Sequence, residues 1–203
     1  MICMDSHGRL FNRIAFFYQL RTPSLIRKYR NHFQDQEIQE KLHIPKRGKI
    51  LDIGAGTGAF GYIFKELGYE VTCIDIAPNM IKMCKRNELE GIVCEIIEDG
   101  IPFPDNSFDL VIAAQFLHGL QSDKRKKLYE ESKRVTKNSQ LLLYEYNVLK
   151  ENGLKARFYE WIEGGFYHEF RANGLNELRA NFSNVYIFEL NNTHAYYLCR
   201  KNK

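Results

Sequence analysis

The chain has 203 residues, 44% hydrophobic and 27% charged, with a formal net charge of +4. That balance is ordinary for a folded domain and argues against disorder, and a mild charge scattered along the chain does not indicate a nucleic-acid binder. No apolar run approaches the roughly 20 residues that span a bilayer, and the opening MICMDSHGRLFNR lacks the basic-then-apolar pattern of a secretory signal.

Residues 1–45 read as a helical cap. Within TPSLIRKYRNHFQDQEIQEKL, Thr22 is the expected N-cap and Pro23 the first helical residue, and IPKRGK then breaks the helix. From there strands and helices alternate. KILDI is an apolar run ending in glycines, hence a buried strand, and GAFGYIFKELG is a helix closed by Gly68. YEVTCID, GIVCEII, FDLVIAA and SQLLLYEYN read as the second to fifth strands. APNMIKMCKRNE and SDKRKKLYEESKRV read as helices, the latter with Ser122 as N-cap and Leu128, Ser132 and Val135 on one face. Such alternation predicts a parallel sheet covered on both faces. NVYIFEL and HAYYLCRK, joined by the turn around NNT, must form an antiparallel hairpin. The expected fold is therefore a three-layer, Rossmann-like α/β sandwich in one domain. Residues 46–147 form its core, 148–182 an aromatic insertion and 183–203 the closing hairpin.

The stretch ILDIGAGTGAFG raises the question of a ligand. Gly54, Gly56 and Gly58 make GxGxG, while Gly56, Gly58 and Gly61 make GxGxxG, the spacing of a dinucleotide loop. Both give a backbone that a ligand can approach, with helix N–H groups for an anion. Asp52 tips the choice: a carboxylate two residues before the loop repels a pyrophosphate and suits an ammonium-bearing ligand. S-adenosylmethionine has an ammonium, a sulfonium and a carboxylate, and no phosphate. Asp75, ending the second strand, can accept two ribose hydroxyls, a role shared with nicotinamide folds.

ILDIGAGTG, VTCIDIAPNMI, IPFPDNSFDLVIAAQFLHGL and LLLYEYN, in that order, resemble the successive motifs of class I S-adenosylmethionine-dependent methyltransferases over about residues 46–150. The resemblance implies a mostly parallel seven-stranded sheet with an antiparallel last strand. It implies cofactor contacts from Asp52, Gly54, Ala55, Gly56, Gly58, Asp75, Ile76, Ala114 and Gln115. The acidic residue that the family places near adenine falls on Ile97 here, a departure that leaves Glu98 or Asp99 to serve. LFNRIAFFYQL is similar to the segment preceding the core in ubiquinone and menaquinone biosynthesis methyltransferases, so Tyr18 is a candidate at the cofactor or in catalysis, although Gln19 replaces the usual Asp.

His118 in LHG is a candidate general base, because His titrates near neutrality. The cluster Lys124, Arg125, Lys126 and Lys127 reads as a solvated helix face. Within the insertion, Tyr159, Trp161, Tyr167, His168 and Arg171 are candidates for a substrate lid, with Gly164 and Gly165 as its bend; a cap with its own aromatic core is the other reading. Five cysteines, at 3, 73, 84, 94 and 199, show no zinc spacing and suit reduced thiols of a cytoplasmic protein, with no metal expected. The chain lacks the NPPY-like motif of adenine-amino methyltransferases and the paired glutamates of the protein arginine type. A small-molecule acceptor is therefore expected, and nucleic acid is not. A binder of S-adenosylmethionine without turnover, and a nicotinamide oxidoreductase, are the alternatives.

Overall fold

The computed structural model describes residues 6–34, 36–150 and 166–201. Seven strands form one sheet: β1 (Lys49–Ile53), β2 (Glu70–Asp75), β3 (Glu90–Val93), β4 (Leu110–Ala114), β5 (Leu141–Tyr146), β6 (Asn184–Glu189) and β7 (His194–Arg200), in the order β3-β2-β1-β4-β5-β7-β6. The first five are parallel, and β7 runs antiparallel to both β5 and β6. Strand β5 is buried along its whole length and β1 beyond its first residue, as strands covered on both faces require. The edge strand β3 is only partly covered, and Ile92 on it is exposed. The expected third strand is shorter than GIVCEII. It stops at Val93, and Ile96–Asp99 turn into a short helix, α5, whose Ile97 N–H is capped by the Glu95 side chain.

Helices α1 (Ser6–His32), α2 (Gln36–Lys41), α3 (Ala59–Glu66) and α4 (Pro78–Arg86) precede α5; α6 (Ser122–Val135) and α7 (Tyr167–Asn181) follow it. Alternation along β1 sends Ile50 and Asp52 to the face with α3, and Leu51 and Ile53 to the opposite apolar layer with Leu128 and Phe170. The first layer holds an aromatic group in which Phe60 stacks near Tyr196 and meets Phe64 and Tyr29 edge-on.

Three readings of the sequence need correction. The helix does not begin at Thr22: α1 runs through it, with Pro23 inside, and the Thr22 hydroxyl donates to the Tyr18 carbonyl one turn back, so it is no cap. Helix α1 ends at His32 instead, and residues 33 and 34 form a turn. Ser122 is the first residue of α6 rather than its cap, and its hydroxyl donates to Glu177 on α7. Arg125 is not solvated. It lies on the same face as Leu128, Tyr129 and Ser132, fully buried, where it donates twice to Glu177 (2.8 and 2.7 Å) and also to the Leu120 carbonyl, locking α6 to α7. Helix α7 itself buries Tyr167, Phe170, Gly174 and Leu178, so the second half of the expected insertion is a layer of the fold.

Candidate active site

The strand order reverses between β1 and β4, and in such sheets a crevice opens beyond the carboxyl ends of the strands at that point. A cavity of about 470 Å³ lies there. Two larger hollows, about 610 and 520 Å³, contain no residue of the glycine loop and gather mostly surface side chains such as Arg86, Glu66 and Glu70. The 470 Å³ cavity alone of these three collects the ends of β1, β2 and β4.

Its floor is the loop after β1. Gly54, Ala55 and Gly56 line it, and Gly54 lies so close to the Phe116 ring that a Cβ there would meet it at 2.4 Å. A Cβ on Gly56 would meet nothing within 4 Å, and its positive φ of 54° favours glycine. Gly58 turns away, against Leu89 and Cys84, and does not line the cavity. Gly61 serves packing instead of the ligand loop. Its N–H donates to Asp52 Oδ2 at 3.0 Å, and a Cβ would meet that oxygen at 2.8 Å.

Asp52 is 1% exposed. Burial, reinforced by the charge of Asp75 and opposed by the Gly61 N–H, pushes its carboxyl up to about 8. Its second oxygen, Oδ1, is buried without a hydrogen-bond partner. An unpartnered buried acceptor beside a cavity suits a donor group, and a cation brought to it would favour the ionised carboxylate. Asp75 holds the loop: Oδ2 accepts the Gly56 N–H at 2.9 Å and Oδ1 the Ala77 N–H at 2.8 Å, while burial raises its pKa. Each of its oxygens keeps a second lone pair for a ligand hydroxyl.

The segment after β4 forms a second wall. Ala114, Gln115, Phe116, His118 and Gly119 line the cavity. Gln115 has a left-handed φ of 53°, anchored by its N–H to the Tyr144 carbonyl, and its side-chain Nε2 is buried unpartnered. Glu145 organises this wall. Fully buried, it accepts the N–H groups of Phe116 and Leu117 at 2.6 and 2.7 Å on one oxygen and meets His118 Nδ1 at 2.9 Å on the other. An acid inside an otherwise apolar strand, LLLYEY, was a visible signal that the sequence reading passed over.

Helix α1 supplies the third wall through Phe11, Tyr18, Arg21, Leu25, Lys28 and Tyr29, and the β6–β7 turn adds Thr193 and His194. Tyr18 meets Phe11 edge-on, whereas Gln19 lies outside the lining and accepts from Arg86. Ile76 lines the cavity beside Asp75. Glu98 and Asp99 do not: both are exposed on α5, while Ile97 is buried in the core. Among the lid candidates, Tyr167 is buried beneath the site, edge-on to Tyr146; His168 is exposed, and Arg171 donates to the Lys150 carbonyl. None of the three lines the cavity, and Tyr159, Trp161, Gly164 and Gly165 lie outside the described residues.

Residues 51–144 match the family described as a methyltransferase domain. A demethylmenaquinone methyltransferase of Tropheryma whipplei is 32% identical over 108 residues, covering 51% of this chain and 44% of that protein. An 18S rRNA (guanine(1575)-N(7))-methyltransferase of Saccharomyces cerevisiae is 35% identical over 103 residues, covering 46% and 38%. The matches thus span less than half the length of these two curated relatives. Among solved structures, a SAM-dependent methyltransferase from Archaeoglobus fulgidus superposes with a TM-score of 0.62 at 19% identity, covering 85% of this chain and 94% of that one, a likeness of fold.

Proposed function

We propose that this chain is a class I S-adenosylmethionine-dependent methyltransferase that transfers a methyl group to a small-molecule acceptor held in the 470 Å³ cavity. The observation that carries the reading is Asp52: a buried carboxylate with one unpartnered oxygen beside a glycine loop fits the cofactor's positive end. Bound there, S-adenosylmethionine supplies a methyl already activated by its sulfonium. The chain's own part is to bind, align and exclude water.

Asp52 would favour the ammonium, and loop N–H groups the cofactor carboxylate. Asp75 would take the ribose hydroxyls, with Ile76 beside the base. Ala114 and Gln115 would lie along the methionine part. Aligning acceptor and methyl can lower the barrier by about 7 to 11 kcal/mol. Where the acceptor must lose a proton, His118 is a candidate base on the cavity wall, and Glu145 fixes its Nδ1 so that Nε2 would receive the proton. The cavity would hold the cofactor as well, so the space left for the acceptor is small, which supports that class over a macromolecule.

Calorimetry with S-adenosylhomocysteine and with NADH separates this reading from a nicotinamide enzyme. Tight binding of the first and none of the second is expected; the reverse overturns it. Turnover of isotopically labelled methyl donor against small-molecule and RNA acceptors separates catalysis from mere cofactor binding. It also tests the acceptor class, which the yeast relative's rRNA makes a needed comparison.

A further inference from the structure

The polar lining of the cavity divides by sign. Its acids are Asp52 and Asp75, at the ends of β1 and β2. Its cations, Arg21 and Lys28, stand on α1, and the His194 imidazole, at the start of β7, lies beside Lys28. Strand β7 lies three places along the sheet from β1, roughly 14 Å at the usual strand spacing.

At that second end Lys28 Nζ approaches His194 Nε2 to 3.5 Å. Two basic groups face each other there in a half-buried setting. The remaining described neighbours bring no negative charge. Lys28 lies 5.4 Å from the Tyr144 ring centroid, His194 Nδ1 meets Thr193 Oγ1 at 2.7 Å, and the His194 ring stacks on Tyr144 and Tyr146. His32 reaches the Tyr144 hydroxyl, and His118 meets Tyr146 from the far side. Glu145, the nearest buried acid on β5, is engaged by two backbone N–H groups and His118. Burial, and then Arg21, hold the Lys28 ammonium below its ordinary pKa; burial, with Lys28 next, drives His194 down to about 3. An anion beside both groups would oppose these shifts, since it favours the charged form of each.

We propose that the Lys28–His194 end of the cavity, with Arg21 at its rim, binds an anionic group of the methyl acceptor, a carboxylate or a phosphate. Arg21 is exposed and Lys28 half-buried, one at each end of a two-turn stretch of α1. The turn that carries His194 is stiff: Asn191 Oδ1 accepts the N–H groups of both Thr193 and His194. The proposal rests on the methyltransferase reading only for the statement that the anion belongs to the acceptor.

The test is a titration of inorganic phosphate, and separately acetate, into the protein saturated with S-adenosylhomocysteine. Binding is read by calorimetry and by the NMR titration of the His194 ring. Saturable binding of at least one anion is expected, with the His194 pKa raised by at least one unit. Lys28→Met should weaken that binding tenfold or more, and Lys28→Arg, which keeps the charge, should largely restore it. Phosphate against acetate distinguishes the two anion types. Cofactor binding with no saturable anion binding, or equal binding in wild type and a folded Lys28→Met variant, overturns the anion site and leaves the methyltransferase reading standing. Failure of S-adenosylhomocysteine to bind strikes that reading instead, and the His194 titration still reports on the anion.

Discussion

Asp52 Oδ2 lies 3.0 Å from the Gly61 nitrogen, and a Cβ on Gly61 would intrude to 2.8 Å from the same oxygen and 3.0 Å from Val71. A residue inside α3 and a residue at the end of β1 are thus fitted to one another with no spare volume. Helix propensity alone would make Gly61→Ala stabilising by about 0.8 to 1.0 kcal/mol. Overpacking in a tight interior costs about 1 to 3 kcal/mol. The second effect prevails because Asp52 is buried and cannot swing aside. Gly61→Ala should lower the unfolding free energy by about 1 to 2 kcal/mol in chemical denaturation, and a gain in stability would show that the contact yields.

The carboxyl of Asp52 gives stability a pH dependence of definite sign. Its folded pKa of about 8 lies above the ordinary 3.8, so between those values the folded state holds the proton that the unfolded state has lost. This group therefore makes the ligand-free protein less stable as pH rises from about 4 to 8. Asp52→Asn removes that dependence. Denaturant unfolding at about pH 5 and about pH 8.5 should show the variant gaining on wild type at the higher pH, while its affinity for S-adenosylhomocysteine falls. A difference that stays flat with pH would mean that Asp52 ionises alike in both states.

Asp75→Ala should weaken S-adenosylhomocysteine binding at least tenfold. Hydrogen bonds to a charged group contribute about 1.5 to 3 kcal/mol each, and the substitution also releases the Gly56 and Ala77 N–H groups. Circular dichroism and a melting curve establish that the fold persists. Unchanged affinity in a folded variant would remove Asp75 from the cofactor's contacts.

For an acceptor that gives up a proton, His118→Asn should lower kcat by about 10² to 10⁴ while S-adenosylhomocysteine affinity moves by less than a few-fold. The rising limb of the kcat/KM profile with pH should vanish in the variant. Glu145→Gln should shift that limb, because the amide no longer supplies a carboxylate to His118 Nδ1. A profile identical in all three proteins would reduce His118 to packing.

Most of the fold can be read from the chain. Uninterrupted apolar runs such as KILDI mark doubly covered strands, and the short NNT turn forces an antiparallel hairpin. The loop is legible too, since its glycines and Asp52 are local in sequence. The third wall is not. Lys28 on α1 and His194 on β7 are 166 residues apart, and no local pattern announces that they meet. Thr22-Pro23 imitates a helix start, yet the tertiary contacts of α1 carry the helix through a proline. Arg125 imitates a solvated charge because its neighbours 124, 126 and 127 are also basic, while only its helical phase matches that of Leu128 and Tyr129. The adenine acid is not legible for a different reason: α5 folds Ile97 inward and leaves Glu98 and Asp99 on the outside.

Helix α1 packs Ala15 and Tyr29 into the core, and polar contacts fasten its outer margin. Asn12 accepts two hydrogen bonds from Asn79 of α4, Gln19 accepts from Arg86, and Arg30 grips the Glu66 carboxylate in an exposed ion pair. That helix is also one wall of the cavity, so ligand traffic is coupled to how firmly this latch is shut. Charged contacts at a surface weaken as salt shortens the Debye length from about 10 Å at 0.1 M to 3 Å at 1 M. Residence time, rather than the chemical step, is then the quantity that ionic strength controls: dissociation of S-adenosylhomocysteine should quicken with salt, and Arg30→Gln should quicken it at low salt to a similar degree.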